Sequence, residues 1–175
     1  MSQFMMPFNF KKWIEENRNL LKPPVGNKCI YPNAEFIVMV VGGPNTRTDY
    51  HVNDHEEFFY QVEGDINLRL REGKSFRDVP IREGEIFLLP PKVPHSPQRP
   101  ANTIGLVIEL QPRPEERAGF EWYCDQCQEE LYAENIELKS IEKDLPEVFS
   151  RYWKNPQHTT CKKCGHKHHK PGEKF

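Results

Sequence analysis

The stretch EFFYQVEGDINLRLR, residues 57–71, decides the fold class that this sequence predicts. It begins with an aromatic, β-prone run, turns at Gly64 and Asp65, and continues as INLRLR, in which apolar and polar residues alternate strictly. Alternation with a period of two places the apolar side chains on one face of a β-strand. We therefore predict two consecutive strands joined by a tight turn, the second of which buries the face formed by its isoleucine and leucines.

Further short strands are predicted on both sides of this stretch. Residues 36–41 (FIVMVV), 85–89 and 103–110 are apolar or alternating runs, and turn-forming residues separate them. Short strands at regular spacing indicate a barrel or a sandwich, and the sixteen prolines of the chain favour a loop-rich β fold. The sequence therefore predicts an all-β protein with few helices.

The length of 175 residues fits one domain with a modest appendage. The composition changes after Gln111, so we expect a barrel core with an N-terminal helix in residues 1–111. We expect residues 112–175 to form an extension that is packed as part of the same single domain. Asn9 can cap a helix over residues 10–21, and a second helix is predicted at about residues 145–153.

Charge and hydropathy exclude several classes of partner. Lys and Arg total 24 and Asp and Glu total 26, and this formal charge of -2 argues against nucleic acid as the main partner. No apolar run approaches the length that crosses a bilayer, so no membrane association is expected. The first residues lack the apolar core of a secretory signal, which favours a cytoplasmic location.

His51, Glu57 and His95 are predicted to bind a metal ion. They lie in the segments HVNDHEE (51–57) and GEIFLLPPKVPH (84–95). Two imidazoles and one carboxylate leave other coordination positions open, as non-haem Fe(II) oxygenases require for substrate and dioxygen. In an unbroken strand the even spacing would direct His51 and Glu57 to the same face, and His95 would come from a neighbouring strand. His55 has the same parity, so this spacing leaves His55 open as a ligand instead.

These two segments resemble the two sequence motifs of the cupin superfamily. The positions of the first motif are held here by His51, Asn53, Glu57 and Gly64. The positions of the second motif are held by Gly84, Pro90, Lys92, His95 and Arg99. Asn53 replaces a histidine, which leaves three ligands rather than four, and Arg99 replaces an asparagine. The resemblance implies a cupin barrel (a double-stranded β-helix or jelly roll), with His51 as the ligand and His55 as an exposed bystander.

The whole chain also resembles the bacterial type of the 3-hydroxyanthranilate 3,4-dioxygenase family. The similar stretches are VGGPNTRTDYH (41–51), EEFFYQ (56–61), IFLLPPKVPHSPQRP (86–100) and FEWYCDQC (120–127). The resemblance implies an Fe(II)-dependent, extradiol-type ring-cleaving dioxygenase that uses dioxygen as co-substrate. Its aromatic substrate, 3-hydroxyanthranilate, would be converted to 2-amino-3-carboxymuconate semialdehyde. That product closes to quinolinate, in the kynurenine route from tryptophan toward NAD.

The same resemblance implies how the substrate is held. Arg99 together with Glu109 would hold the substrate carboxylate, Arg47 would lie nearer the dioxygen side, and Glu57 would also border the substrate. An arginine suits a carboxylate because its planar fork can pair with both oxygens. Glu109 lies on the less bulky face of its predicted strand, which the sequence leaves open as a pocket wall or as the solvent side. The resemblance further implies a homodimer.

Two Cys-x-x-Cys pairs predict a second metal site. Their cysteines are Cys124, Cys127, Cys161 and Cys164. Four protein thiolates would close the site, so its role would be structural. Zinc and rubredoxin-like iron both use this geometry, and the resemblance implies iron. A redox-active or disulfide-bonded pair is the alternative, and the tail histidines, among them His168, are interpreted as exposed.

Two other functions compete with this prediction. One is a different dioxygenase on the same barrel, although such enzymes commonly keep the histidine that Asn53 replaces. The other is a non-enzymatic zinc-ribbon protein whose basic tail, residues 162–174, binds nucleic acid. That tail lacks the aromatic residues on which bases stack.

Overall fold

The computed structural model describes residues 6–23, 26–138 and 141–171, so the end of the basic tail lies outside the described residues. Two antiparallel sheets form the body of the protein, with strand orders β1-β2-β9-β4-β7 and β11-β10-β3-β8-β5-β6. The strands of the first sheet are β1 (Asn27–Cys29), β2 (Phe36–Gly42), β4 (Glu57–Glu63), β7 (Ile86–Leu89) and β9 (Ile104–Leu110). The strands of the second sheet are β3 (Tyr50–Val52), β5 (Ile66–Glu72), β6 (Ser75–Ile81), β8 (His95–Gln98), β10 (Ala118–Tyr123) and β11 (Glu130–Ile136).

The inner faces of the two sheets meet in one apolar cluster. Ile66, Leu68 and Leu70 of β5 are each at most 5% exposed, as their alternation with polar residues predicts. They pack against Phe59 of β4 and Val107 of β9 from the opposite sheet. This two-sheet architecture, together with the N-terminal helix and the C-terminal cysteine cluster, confirms the predicted fold class, a cupin barrel with two small additions.

Helix α1 (Phe10–Asn17) lies against the outer face of the first sheet. Asn9 caps it by accepting a hydrogen bond from the Lys12 backbone N–H at 3.0 Å, and a 3₁₀ turn continues the helix to Leu21. Ile14 and Leu21 are buried with Val40 and Ile104 in a separate cluster. The predicted N-terminal helix is therefore present, but its last turn is wound more tightly than an α-helix.

The C-terminal part contributes directly to the second sheet. β10 pairs with β3, with Phe120 opposite His51, and β11 pairs with β10. Helix α2 (Ile141–Lys154) covers β10, and the short helix α3 (Pro156–Thr159) follows it. Among the described residues, no helix is both long and apolar enough to cross a membrane. The predicted boundary between residues 1–111 and 112–175 stays a prediction.

Candidate active site

Both sheets contribute to a cluster of potential metal ligands inside the barrel. His51 of β3 and His95 of β8 face each other in neighbouring strands of the second sheet. Glu57 is the first residue of β4 in the other sheet. One ligand atom from each of the three side chains lies within 4.8 Å of the others, so the three can bind a single ion.

The strand geometry corrects two details of the sequence interpretation. His51 and Glu57 do not share an unbroken strand, because the chain leaves β3 after Val52 and enters the opposite sheet at Glu57. Their convergence follows from the closure of the two sheets and not from parity. His55 is not an exposed bystander, since its side chain is only 16% exposed and its Nε2 lies 2.8 Å from the Glu116 carboxylate. It belongs to no cluster of potential metal ligands among the described residues.

The three side chains fit a divalent cation. Oε2 of Glu57 is buried and accepts no hydrogen bond from the described residues. It lies 3.0 Å from Nε2 of His95 and 3.9 Å from Nδ1 of His51. Nδ1 of His95 lies 3.0 Å from the Val93 carbonyl. In the tautomer in which Nδ1 carries the proton, it donates a hydrogen bond to that carbonyl, and the lone pair of Nε2 faces the cluster. A buried carboxylate oxygen without a donor is costly, and a metal ion would satisfy it.

Burial sets the charge state of His51. It lowers the pKa of His51 to about 4, with a smaller contribution from the neighbouring His95. The imidazole is therefore neutral near pH 7 and keeps a lone pair for a metal. Burial opposes the charge of Glu57, but the neighbouring His95, His51 and Arg47 together outweigh burial, and the pKa of Glu57 is lowered. The neutral His51 imidazole, the His95 imidazole and the Glu57 carboxylate are thus the expected donor set.

Arg99 lies in the same interior and is 4% exposed. Its Nη1 donates a hydrogen bond to the neutral Gln61 Oε1 at 3.3 Å, and among the described residues no carboxylate lies within ion-pair distance of it. Burial lowers the pKa of Arg99 to about 10, which still leaves it charged near pH 7. A buried cation without a counter-ion is unfavourable, so this arrangement favours an anionic ligand.

Glu109 is a wall of the site and not a solvent-facing residue. It is 7% exposed, it lies opposite Glu57 in the sheet, and its Oε2 accepts a hydrogen bond from the Asn53 side-chain amide. Burial and then the neighbouring Glu57 raise the pKa of Glu109 to about 8. A protonated Glu109 can donate a hydrogen bond to an acceptor in the pocket. Asn53, which stands where other cupins have a histidine, therefore contacts Glu109.

Arg47 is held from one side by Asp49. Nε of Arg47 donates to Asp49 Oδ1 at 3.1 Å, and Nη2 donates to the other oxygen of the same carboxylate. Burial opposes the charge of Arg47, but Asp49 together with Glu57 and Glu109 outweighs burial, and the pKa of Arg47 is raised. Arg47 also lies close enough to Glu57 and Glu109 to interact electrostatically with both. It therefore carries a charge that is already partly balanced, unlike Arg99.

One loop positions both arginines, and Asn45 is its anchor. The Asn45 side chain accepts from the Arg99 backbone N–H at 3.1 Å and donates to the Pro97 carbonyl at 2.8 Å. The Asn45 backbone N–H donates to the Arg99 carbonyl at 3.1 Å. Sequence reasoning missed Asn45, Asp49 and Gln61. For Asp49, its spacing of two residues from Arg47 was an available signal, whereas Gln61 carried none.

The four cysteines of the two pairs converge in a second cluster. Sγ of Cys124 lies 3.6 Å from Sγ of Cys164, and Sγ of Cys127 lies 3.5 Å from Sγ of Cys161. Metal–sulfur bonds of ~2.3 Å in a tetrahedron separate sulfurs by ~3.8 Å, so the spacing fits a four-thiolate ion. Each pair is followed by a turn residue with positive φ, Gln128 after the first pair and Gly165 after the second. The backbone N–H of Gln128 donates to the Cys124 carbonyl, and that of Gly165 donates to the Cys161 carbonyl.

His168 corrects the prediction that the tail histidines are exposed. It is 5% exposed, its Nδ1 bonds to the Tyr152 hydroxyl, and its Nε2 lies 3.3 Å from Asp125 Oδ2. Tyr152 in turn stacks on Trp122, with ring centroids 4.2 Å apart. The tail is therefore fixed both to helix α2 and to the first cysteine turn.

The barrel and its cluster of two histidines and one glutamate define this protein as a cupin with a candidate mononuclear metal centre. A family model described as 3-hydroxyanthranilic acid dioxygenase matches residues 2–153. The chain therefore belongs to that family, as the sequence resemblance predicts. The match extends through β10 and most of helix α2, so it covers far more than the two cupin motifs.

Individual relatives agree with the family match. The chain is 55% identical over 165 residues to the 3-hydroxyanthranilate 3,4-dioxygenase of Xanthomonas euvesicatoria pv. vesicatoria (strain 85-10), covering 94% of this chain and 93% of the relative. It is 55% identical over 168 residues to the protein of that name from Jannaschia sp. (strain CCS1), covering 95% and 92%. These relatives confirm the predicted family and disfavour both competing functions.

Among solved structures, the chain is similar to a cupin-2 domain containing protein from Shewanella frigidimarina, with 18% identity and a TM-score of 0.45. The match covers 57% of this chain and 92% of that chain. Similarity at this level adds nothing to the fold that the strands themselves define.

Proposed function

We propose that this protein is a ring-cleaving dioxygenase that converts 3-hydroxyanthranilate and dioxygen to 2-amino-3-carboxymuconate semialdehyde, which closes to quinolinate. The observation that carries the proposal is the buried Arg99, which lies close enough to Glu57 of the ligand cluster to interact with it electrostatically. No carboxylate of the described residues forms an ion pair with Arg99, and such a cation next to an open metal site suits an aromatic ligand that bears a carboxylate. Membership of the family supplies the substrate and the reaction.

His51, Glu57 and His95 would hold Fe(II) at the centre. Bound Fe(II) would supply open coordination positions for the aromatic substrate and dioxygen, and its charge would promote loss of the substrate hydroxyl proton. The protein holds the His51 imidazole neutral by burial, and it fixes the Glu57 carboxylate between the two imidazoles. The barrel interior also excludes water from the reacting atoms, because the ligand residues are buried or nearly so.

Arg99 and Glu109 would bind the substrate carboxylate from two sides. Arg99 would provide a charge-assisted, bidentate pair, since its fork has no competing carboxylate among the described residues. Protonated Glu109 would donate one further hydrogen bond, which is consistent with a pKa raised to about 8. Arg47 keeps Asp49 as a permanent partner, so it would act through its field near the dioxygen side and bind no carboxylate of its own.

We further infer that the four-cysteine cluster holds an iron ion as a structural centre, with zinc as the alternative. Its four thiolates leave no open coordination position, which argues against a catalytic role. Metal analysis of the purified protein distinguishes the two ions. A visible spectrum is a second test, because only a ferric four-thiolate centre gives strong visible absorption.

A homodimer is the assembly that we propose. The outer face of the first sheet exposes Phe36 (52%) on β2 and Ile86 (66%) and Leu88 (52%) on β7, and large exposed apolar side chains favour contact with another protein surface. Light scattering of Leu88→Glu, which places a charge in this face, should show a monomer where the unaltered protein is a dimer. A dimer that persists unchanged would place the contact elsewhere. The cytoplasmic location stays a prediction.

The reaction itself is tested by turnover. Purified protein supplied with Fe(II) should consume 3-hydroxyanthranilate and one equivalent of dioxygen, and the ring-opened product should be visible in the ultraviolet before it closes to quinolinate. Consumption of dioxygen without quinolinate, or no reaction in protein with a filled metal centre, would contradict the proposed function.

A further inference from the structure

Gly105 and Gln61 both lie against the Arg99 guanidinium. We propose that they form a seat that orients Arg99, and that this seat makes the site selective for ligands with a ring carboxylate. The inference rests on the proposed function and extends it from the arginine to the residues that aim it. Neither residue would touch the reacting atoms, so both are positioning residues.

The absence of a side chain at Gly105 creates the space for Arg99. A Cβ at this position would lie 2.7 Å from Nη1 of Arg99, 3.2 Å from Nη2 and 2.8 Å from Oε1 of Gln61. Real Cβ atoms essentially never come within 3.0 Å of another heavy atom, so both the guanidinium and the Gln61 amide oxygen would have to shift. The backbone of Gly105 lies outside the left-handed region and within β9, so its conformation does not require a glycine. A glycine inside a strand is otherwise unfavourable, and close approach of another group is the reason that remains.

Gln61 fixes the direction of the guanidinium. It lies directly opposite Gly105 in the neighbouring strand β4 and is 2% exposed. Its side-chain Nε2 donates to the Glu63 carbonyl at 2.9 Å, and since that carbonyl can only accept, the amide oxygen must face Arg99. A shift in strand register between Gln61 and Glu63 brings this carbonyl within reach.

The neutrality of Gln61 matters as much as its geometry. Gln61 holds Nη1 of Arg99 by one hydrogen bond of 3.3 Å without neutralising the charge. A carboxylate at this position would form a charge-assisted pair with Arg99 and compete with the ligand for the same fork. The seat therefore keeps Arg99 in place and leaves its positive charge available for an ion pair with an incoming carboxylate.

Ligand binding tests the seat separately from the reaction. Dissociation constants are measured by calorimetry under anaerobic conditions for 3-hydroxyanthranilate and for 2-aminophenol, which lacks the carboxylate, on metal-loaded protein. In the unaltered protein we expect the carboxylate ligand to bind at least tenfold more tightly. Gly105→Ala and Gln61→Glu should each reduce this ratio at least tenfold, while 2-aminophenol binding changes less than threefold.

A matched control comes from the same strand. Leu106→Ala alters the neighbouring residue on the opposite face of β9, and it should keep the ratio within threefold of the unaltered value. If Gly105→Ala does not fold, Gln61→Glu decides the outcome alone. Ratios in both variants that equal the unaltered ratio, or equal losses for both ligands, overturn the seat. If the unaltered protein binds 3-hydroxyanthranilate at least tenfold more tightly than 2-aminophenol but turns over neither, the proposed reaction is contradicted and the seat is not.

Discussion

At the scale of single residues, Arg99 is the side chain on which recognition of the substrate depends most. It is buried, charged and bonded to a neutral amide, so an incoming carboxylate gains a strong interaction there. We expect Arg99→Ala to raise KM for 3-hydroxyanthranilate by about a hundredfold, on the order of the 3 kcal/mol of a charge-assisted pair. Arg99→Lys should rescue poorly, because lysine lacks the fork. Steady-state kinetics with 3-hydroxyanthranilate and 2-aminophenol check this, and equal losses with the two substrates would refute carboxylate recognition.

The metal ligands make a second prediction at this scale. His51→Ala, Glu57→Ala and His95→Ala should each abolish ring cleavage and remove iron from the catalytic centre. The described residues offer only these three ligands at the site, so none can be lost. His55→Ala is the matched control, since His55 bonds to Glu116 and lies outside the cluster. It should keep both iron content and turnover within about threefold. A His55→Ala protein as inactive as His51→Ala would show that the ligand assignment is wrong.

The structure brings together the three residues that the sequence predicted as ligands, but one of the reasons given for their convergence was wrong. The types and order of His51, Glu57 and His95 follow the cupin motifs, and the structure brings these three together. The parity argument failed because it assumed one continuous strand where the chain crosses between sheets. Gln61 was not predictable, since the Glu63 carbonyl that turns its amide oxygen toward Arg99 is brought within reach by a register shift that no local pattern reveals.

At the scale of elements, the loop of residues 42–47 couples the first sheet to the segment that carries Arg99. Gly43 donates its backbone N–H to the Thr103 carbonyl at 2.9 Å, and a Cβ at Gly43 would collide with the Pro100 carbonyl. Asn45 completes the contact with its three hydrogen bonds to residues 97–99. The loop thereby sets the distance between the two arginines of the site.

Removal of this anchor should affect binding more than folding. Asn45→Ala loses two side-chain hydrogen bonds, which should cost about 1–3 kcal/mol of unfolding free energy. We expect KM for 3-hydroxyanthranilate to rise about tenfold while kcat falls less, because Arg99 loses its fixed backbone. Denaturant titration and kinetics measure the two effects, with Thr46→Ala in the same loop as the control. An unchanged KM in Asn45→Ala would mean that the loop does not position Arg99.

The strands that the sequence predicted by pattern are those with a continuous apolar run or a clear alternation; burial alone was not enough, since β10 is almost wholly buried and was not predicted. β5 was predicted at residues 66–71 and extends to residue 72, because its alternation is complete. β6 was not predicted, since it contains Pro80 and most of its residues are exposed. β8 was expected only as the strand that carries His95, and its bounds could not be read because it contains Pro97. β3 has only three residues, so no period could be read from it. Tertiary pairing, which local sequence does not encode, defines these strands.

At the scale of the whole molecule, the cysteine cluster connects two distant parts of the chain. Cys124 and Cys127 follow β10, whereas Cys161 and Cys164 follow helix α3, and His168 adds a further link to Asp125. A metal at this cluster would stabilise the folded chain, because an unfolded chain cannot preform such a site. Its contribution should therefore appear in stability and not in the chemical step.

Cys124→Ser tests this division of roles. We expect one metal equivalent to be lost and Tm to fall by about 10 °C, since each kcal/mol shifts Tm by roughly 2–4 °C in a chain of this size. Turnover per catalytic iron should stay within about twofold. Differential scanning calorimetry and metal analysis measure these quantities, with Cys29→Ser as the control because Cys29 is exposed and outside the cluster. Loss of turnover in folded, iron-loaded Cys124→Ser would contradict a structural role.

The most direct test of the central claim joins metal occupancy to ring cleavage in one experiment. Iron is removed from the His51, Glu57 and His95 site by a chelator and returned stepwise, while quinolinate formation from 3-hydroxyanthranilate is followed. Turnover should rise in proportion to Fe(II) and reach its maximum at one equivalent per chain in that site, and Glu57→Ala protein should show no such rise. Turnover that is independent of added Fe(II), or that is restored equally well in Glu57→Ala, would contradict the account.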